Sequence, residues 1–158
     1  MRTAGIIAEC NPFHEGHAHL LRQARSVCGA DYVIVVLSGD YVQRGAPAIQ
    51  DKYVRTRAVL EGGADLVLEL PLFYAAGAAD YFARGAVTLL ARLNVVTDLV
   101  FGSESADLSA LLKAADVLRD RGGARFRDAL LEGLRRGQTY AQAQAAFSPE
   151  IPTSSNDL

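Results

Sequence analysis

His14 and His17 lie three residues apart, with Gly16 between them, in the segment Glu-Cys-Asn-Pro-Phe-His-Glu-Gly-His at residues 9–17. Imidazoles at this spacing share one side of a helix and can donate hydrogen bonds to an anion. The segment follows an apolar run and opens an amphipathic stretch, which predicts a strand, a turn and a helix whose first backbone N–H groups are free. Gly16 would let a phosphate approach the backbone closely. This chemistry suits a nucleoside triphosphate.

Polar residues also follow the next two apolar runs of the chain. Gly39 permits close backbone approach, and Asp40 could orient a ribose, a lysine or a magnesium ion. A plain Gly-Asp turn is the alternative for this pair. Glu69, at the end of the third run, is either a buried, paired carboxylate or a functional one.

Arg44 and Lys52 are the cationic candidates in and after the loop that follows the second run. An arginine there can bind a carboxylate or a phosphate through two parallel hydrogen bonds. The alternative is a structural ion pair with Asp51 or Glu61. Because the loop is predicted to lie over the site, we expect Arg44 and Lys52 to act on the reacting groups together with His14 and His17.

Short apolar runs alternate with amphipathic stretches and so position these residues. Runs without polar alternation are typical of strands buried on both faces, and they predict strands at residues 3–9, 32–38, 65–70 and 98–101. Helices are predicted at residues 16–27, 51–61, 78–93, 108–119, 124–136 and 140–147. The alternation predicts an α/β fold, a doubly wound parallel sheet with helices on both faces, followed by C-terminal helices. Its ligand should lie beyond the carboxyl ends of the strands.

The length of 158 residues fits one domain with a large core. We expect residues 1–147 to form one domain that binds a nucleoside triphosphate and has a late helical part. Residues 148–158, with two prolines, are expected to form a C-terminal tail.

Composition excludes several classes of protein. Half of the residues are hydrophobic and 22% are charged, which is typical of a globular chain. The most apolar region, residues 66–100, is interrupted by charges and cannot cross a membrane. Because Met1 leads directly into the first strand without an apolar signal region, we expect a cytoplasmic protein without a membrane partner.

The net charge of −2 disfavours a self-sufficient RNA-binding surface. Late arginines are interleaved with acidic residues, which indicates a solvated helix face more than an RNA site; they are Arg119, Arg121, Arg125, Arg127, Arg135 and Arg136. Cys10 and Cys28 are predicted to be buried thiols, although a reactive Cys10 is an alternative. A zinc site that uses His19 with the other histidines is a weaker alternative, since the zinc protease spacing is absent. We therefore predict no metal site built by protein side chains.

The chain resembles the HIGH-type nucleotidyltransferases in His-x-Gly-His, and more specifically the bacterial tRNA(Met) cytidine acetate ligases. The matching segments occur in family order at residues 5–9, 11–17, 38–48, 51–52, 65–71, 79–83 and 101–104. The resemblance is strong from residue 5 to about residue 104, and the family continues well past the end of this chain. It implies the catalytic domain of such an enzyme, with a Rossmann-like fold of the HUP type.

The resemblance implies that ATP, accompanied by Mg²⁺, activates acetate to acetyl-adenylate, and that the acetyl group passes to N4 of the wobble cytidine of elongator tRNA(Met). Residues 148–158 would carry part of a second phosphate-binding motif, of which Asn156 matches one member. The nucleotide contacts expected are Ile7, Ala8, Glu9, Cys10, Asn11, Pro12, Phe13, His14, Glu15, Gly16, His17, Ala18, His19, Leu20, Gly39, Asp40, Gly102, Ser103 and Asn156.

Two other functions remain open from the sequence. A small-molecule adenylyltransferase of the pantetheine-phosphate type shares the fold, but it lacks the Val-Gln-Arg-Gly that follows the second strand here. A non-catalytic nucleotide-binding module is the second alternative. The oligomeric state is not predicted.

Overall fold

Four parallel strands form one sheet in the order β3-β2-β1-β4. A computed structural model describes residues 1–103, 107–120, 124–139 and 142–143. The strands are β1 (Thr3–Ala8), β2 (Tyr32–Ser38), β3 (Leu66–Leu70) and β4 (Asp98–Val100). Ile6 pairs with Val35 on one side and with Val100 on the other, so β1 is central. The predicted strands are therefore confirmed to within one residue at each end.

The helices alternate with the strands as predicted. Their bounds are α1 (Glu15–Ser26), α2 (Lys52–Glu61), α3 (Leu72–Ala75), α4 (Ala79–Arg92), α5 (Leu108–Asp120) and α6 (Ala124–Arg135), with a 3₁₀ turn at Gln43–Gly45. The four-residue α3 is missing from the sequence prediction. The predicted helix at residues 140–147 and the tail at residues 148–158 fall almost entirely outside the described residues.

Two apolar layers cover the two faces of the sheet. On one face, Leu21 of α1 and Val59 of α2 pack against β1 and β2. On the other face, Ala86 and Leu90 of α4 pack against Ile34 and Val36 of β2. This arrangement is the predicted doubly wound architecture. Gly5 in β1 allows close contact with α4, because a Cβ at that position would lie 2.9 Å from Cδ1 of Leu90.

The predicted burial of every strand on both faces is correct only for the centre of the sheet. Val33, Val35 and Val36 of β2 are almost fully buried. β3 and β4 are the edge strands, and Leu66 and Leu99 are 43% and 46% exposed. An edge strand has a neighbour on one side only, so a pattern of apolar residues alone does not report its exposure.

The chain divides into two compact units, Met1–Phe101 and Gly102–Leu158. The first unit contains the whole sheet and helices α1 to α4. The second contains α5 and α6, where Arg136 forms an ion pair with Glu132 at 3.0 Å. The expectation of one domain over residues 1–147 stays a prediction. None of the helices in the described ranges has the length and apolar character needed to cross a membrane.

Candidate active site

The turn between β1 and α1 begins the candidate site at the carboxyl edge of the sheet. Cys10 has φ +47°, a left-handed conformation that is unfavourable for a residue with a side chain, and the Asn11–Pro12 peptide bond is cis. Glu9 and Asn11 use their side chains to hold the next loop, since Oε1 of Glu9 accepts from N–H of Gln43 at 2.6 Å and Oδ1 of Asn11 accepts from N–H of Ile49 at 2.7 Å. The loop after β2 is thus fixed against the histidine segment, as the topology predicts.

His14 is the N-cap of α1 and His17 is its third residue. Nδ1 of His14 accepts from N–H of Gly16 at 3.1 Å, and Nδ1 of His17 accepts from N–H of His14 at 3.2 Å. This reciprocal pair is a capping box built from two imidazoles. A ring nitrogen that accepts a hydrogen bond carries no proton, so the neutral rings hold their protons on Nε2.

The tautomer has a direct chemical consequence. The two ring centroids are 3.9 Å apart, and His17 also stacks on Phe13 at 5.6 Å. Burial, and then the neighbouring His14, keep the pKa of His17 below its ordinary value. The segment therefore holds two adjacent imidazoles whose Nδ1 atoms are both occupied, and donation from their Nε2–H groups to a ligand stays a prediction.

Gly16 has a different local role from the one expected. A Cβ at this position would lie 2.9 Å from Cε1 and 3.0 Å from Nδ1 of His14. The glycine therefore leaves room for the capping ring, whose Nδ1 occupies the Gly16 N–H. The expectation of free N–H groups at the start of α1 is wrong for Gly16, because its donor is satisfied by the ring of its own cap.

Lys52 lies at the first position of α2 and points to the end of β3. Its Nζ is 3.0 Å and 2.9 Å from the two carboxylate oxygens of Glu69, and 3.8 Å from Oδ2 of Asp40. The hydrogen bond that Lys52 donates to Glu69 is the main cause that raises the pKa of Lys52. Asp51 caps α2 by accepting from N–H of Tyr53 and Val54. The alternative of an ion pair between Arg44 and Asp51 or Glu61 stays a prediction.

Gly39 and Asp40 lie beside the ion pair of Lys52 and Glu69. A Cβ on Gly39 would lie 2.4 Å from Oε1 of Glu69, so only glycine lets that carboxylate lie over the end of β2. Asp40 accepts from N–H of Lys52 at 3.2 Å and from N–H of Ala48 through its carbonyl at 2.9 Å. Glu69 is thus a paired carboxylate, but its side chain is 52% exposed and not buried.

Several other residues predicted to contact the nucleotide have side chains that are buried or packed against the core. Cys10 and Ala18 are buried, and Ile7, Ala8 and Leu20 pack against the core, so these residues have mainly backbone to offer. His19 is exposed, as is Glu15, which pairs with Arg22 at 3.5 Å.

The remaining predicted site residues lie in the loop after β2, after β4 and near the C-terminal end of the sequence. Arg44 lies in the 3₁₀ turn, Gly102 and Ser103 lie two and three residues after the end of β4, and Asn156 is outside the described residues. The role of every residue named for the site stays a prediction.

The two cysteines differ. Cys10 is 2% exposed, and burial raises the pKa of its thiol to about 12, which disfavours the alternative of a reactive nucleophile. Cys28 is only partly buried, so the prediction of a buried thiol is correct for Cys10 alone. Among the residues that the structure describes, no group of three or more His, Cys, Asp or Glu side chains is placed to hold a metal ion.

Arg55 is the residue at this edge that sequence reasoning missed. Its side chain is fully buried, and it donates to the carbonyl of Glu9 at 2.7 Å, to the carbonyl of Gln50 at 3.0 Å and to the carbonyl of Gly39. The one available signal is its spacing: Arg55 precedes the core residue Val59 by four positions and so shares its helix face.

The chain is similar in sequence to proteins of one family. The family described as HIGH Nucleotidyl Transferase matches residues 1–158. Proteins named tRNA(Met) cytidine acetate ligase from Thermoanaerobacter sp. (strain X514) and Leuconostoc citreum (strain KM20) are each 47% identical to the chain, over 91% and 92% of its length. The aligned regions cover 36% and 34% of those relatives, so the chain spans about a third of their length.

Solved structures agree with the sequence comparison. The crystal structure of Thermotoga maritima TmcAL bound with alpha-thio ATP superposes with a TM-score of 0.86 at 37% identity. That alignment covers 99% of this chain and 41% of the other. The apo form of the same protein gives the same TM-score over 40% of its length. The Rossmann-like nucleotidyltransferase fold is therefore confirmed, and the chain belongs to the HIGH nucleotidyl transferase family.

Proposed function

We propose that this chain binds ATP at the carboxyl edge of its sheet and transfers the adenylyl group to acetate, in the service of N4-acetylation of the wobble cytidine of elongator tRNA(Met). The observation that carries the proposal is the pair of imidazoles at the start of α1, whose Nδ1 atoms both accept backbone N–H groups, so that each neutral ring has its proton on Nε2. The likeness to ligases of this specificity and to a protein bound with an ATP analogue supports the choice of substrates.

The reaction needs little covalent chemistry from the protein. A carboxylate oxygen of acetate attacks the α-phosphorus of ATP, the bond from that phosphorus to the bridging oxygen breaks, and pyrophosphate leaves with the electron pair. The product is the mixed anhydride acetyl-adenylate. Negative charge on the phosphoryl oxygens and the leaving group increases during the step, so donors already fixed in place supply most of the catalysis.

Each proposed residue has one task in this step. The Nε2–H groups of His14 and His17 donate to phosphate oxygens, and neutral rings can do so without first losing a hydrogen bond to the helix. Lys52 supplies a positive charge whose position is set by Glu69 and Asp40. Gly102, Ser103 and Asn156 are proposed to contact the nucleotide, and Arg44 to contact acetate or phosphate.

Mg²⁺ is proposed to reach the site with the triphosphate. It binds proteins through one or two carboxylates together with substrate phosphates, and Asp40 offers a carboxylate that is 54% exposed at this edge. The chemistry that the ion would supply is neutralisation of phosphate charge.

The test is acetate-dependent release of pyrophosphate by the purified chain. Acids of increasing length and a phosphopantetheine are screened in parallel. Release that requires acetate supports the proposal. Release that requires phosphopantetheine would assign the chain to the other adenylyltransferases, and nucleotide binding without turnover under any acceptor would make it a binding module.

A further inference from the structure

Arg55 is a buried cation whose described partners are all neutral. Its exposed fraction is 0%, whereas charged side chains in protein interiors are usually paired with an opposite charge. Four donor contacts are made, to the carbonyls of Glu9, Gly39 and Gln50 and to Oγ of Ser38. The positive charge of the guanidinium is therefore solvated by oxygen dipoles and is not cancelled by a carboxylate among these partners.

These partners belong to three different segments of the chain. Glu9 follows β1, Ser38 and Gly39 end the β2 run, and Gln50 precedes α2. The planar guanidinium offers five N–H donors in a fixed fork, which suits it to hold several backbone segments at once. A single side chain thus joins both turns that carry the candidate site.

The turn that Arg55 holds is also strained. Cys10, with φ +47°, comes directly after the Glu9 carbonyl that accepts from Arg55 at 2.7 Å. A residue with a side chain keeps this conformation only where surrounding contacts determine it. Asn11 holds the other side of the turn through N–H of Ile49. The charge of Arg55 also acts on the thiol of Cys10: it lowers the pKa of that thiol, whereas burial raises it.

We propose that Arg55 is a positioning residue of the nucleotide site: it fixes the strained turn that leads into His14, and its buried charge, which none of its described partners neutralises, favours a polyphosphate at the same edge. The second half of this proposal rests on the proposed binding of ATP. The first half concerns the free protein and stands on the contacts of the guanidinium alone.

The experiment uses the full chain with Cys28→Ser, which leaves Cys10 as its sole thiol. Arg55→Lys keeps the charge and loses the fork, and Arg55→Gln loses both. Ser38→Ala removes only the 3.3 Å contact and serves as the mildest variant. The control is Arg25→Met, because Arg25 also donates to two carbonyls, those of Asp31 and Gly63, but is paired with the Asp65 carboxylate. Arg25 lies in the last turn of α1, at the opposite end of the helix from the histidine turn.

The first readout is the rate at which iodoacetamide modifies Cys10 under conditions where each variant is folded by circular dichroism. Loss of buried hydrogen bonds should raise the frequency of local opening, so we expect the rate to increase by about tenfold or more in Arg55→Lys and further in Arg55→Gln. Ser38→Ala should give a small increase. Arg25→Met should lower the urea midpoint without changing the Cys10 rate.

The second readout compares ATP with adenosine by calorimetric titration. If the defect is confined to phosphate recognition, the affinity for ATP should fall from the wild-type chain to Arg55→Lys and fall further in Arg55→Gln. The affinity for adenosine should stay unchanged. An equal fall in the affinities for ATP and adenosine would instead indicate a general structural role. It would overturn the proposal that the charge of Arg55 favours a polyphosphate.

The outcomes separate the two proposals. If the parent chain binds no ATP, the proposed function fails, while the Cys10 rates still decide the positioning role. If Arg55→Gln does not fold, the Cys10 rates of Arg55→Lys and Ser38→Ala decide the positioning role. Unchanged Cys10 rates in folded Arg55→Lys and Ser38→Ala would overturn the inference.

Discussion

The imidazoles of His14 and His17 lie with their centroids 3.9 Å apart, and each ring accepts a backbone N–H of the α1 start through Nδ1. The same two side chains thus complete the helix cap and, as neutral rings, carry their remaining proton on Nε2. Capping and phosphate recognition are coupled here, because the hydrogen bond at one nitrogen of each ring fixes the tautomer at the other.

Alanine at either histidine should therefore affect both catalysis and stability. We expect His14→Ala and His17→Ala each to lower the adenylation rate by about 10²-fold or more, the usual loss for one transition-state donor. Loss of the cap acceptor in His14→Ala should also cost about 1 kcal/mol of unfolding free energy. His14→Asn separates the roles, since asparagine caps well but its shorter side chain cannot place a donor where the imidazole Nε2–H lies. Pyrophosphate release and urea unfolding measure the two effects, and wild-type rates in both alanine variants would contradict the site.

Acid should destabilise the chain through His17. Its pKa is lowered in the folded state, first by burial and then by His14. Between that lowered pKa and the ordinary value of 6.5, the unfolded chain binds more protons than the folded one. The contribution to unfolding free energy is therefore complete above pH 6.5 and falls as the pH drops through this window.

The urea midpoint of His17→Gln is the matched comparison. Glutamine at the third helix position can accept from N–H of His14, as in ordinary capping boxes, and it does not titrate. We expect the midpoint of the wild-type chain to fall more steeply than that of His17→Gln between about pH 7 and about pH 5. Equal slopes would show that His17 does not control this dependence.

The alternation of strands and helices was predictable because apolar runs and helix-ending glycines are local signals. The short α3 was not, since four residues carry too little periodicity. Arg55 was missed for a different reason: its partners are mainly backbone carbonyls, which every residue possesses, so no residue type marks them. The ion-pair partner of Lys52 could not be predicted from the sequence either, because Glu69 lies in β3, seventeen residues along the chain, and only the fold brings the two together.

Lys52 should matter for activity more than for stability. Its side chain is 28% exposed and that of Glu69 is 52% exposed, and solvent screens ion pairs of this kind, so they contribute little to stability. We expect Lys52→Met to reduce acetate-dependent pyrophosphate release by about 10²-fold if the ammonium contacts the transferring phosphoryl group. Arg57→Met, which removes an exposed cation from the same helix, is the control for charge alone. Equal rates in the two variants would exclude a catalytic role for Lys52.

The chain of 158 residues should adenylate acetate but acetylate tRNA poorly or not at all by itself. Affinity for tRNA grows with the number of phosphates that a protein neutralises, and the net charge of −2 provides few such contacts. Arg136, one of the late arginines, is already paired with Glu132. A gel-shift titration with elongator tRNA(Met) at low and physiological salt, run beside transfer of labelled acetate, measures both steps. Tight, salt-resistant binding with efficient N4-acetylation would show that this chain, alone or as an oligomer, carries enough phosphate contacts for the second step.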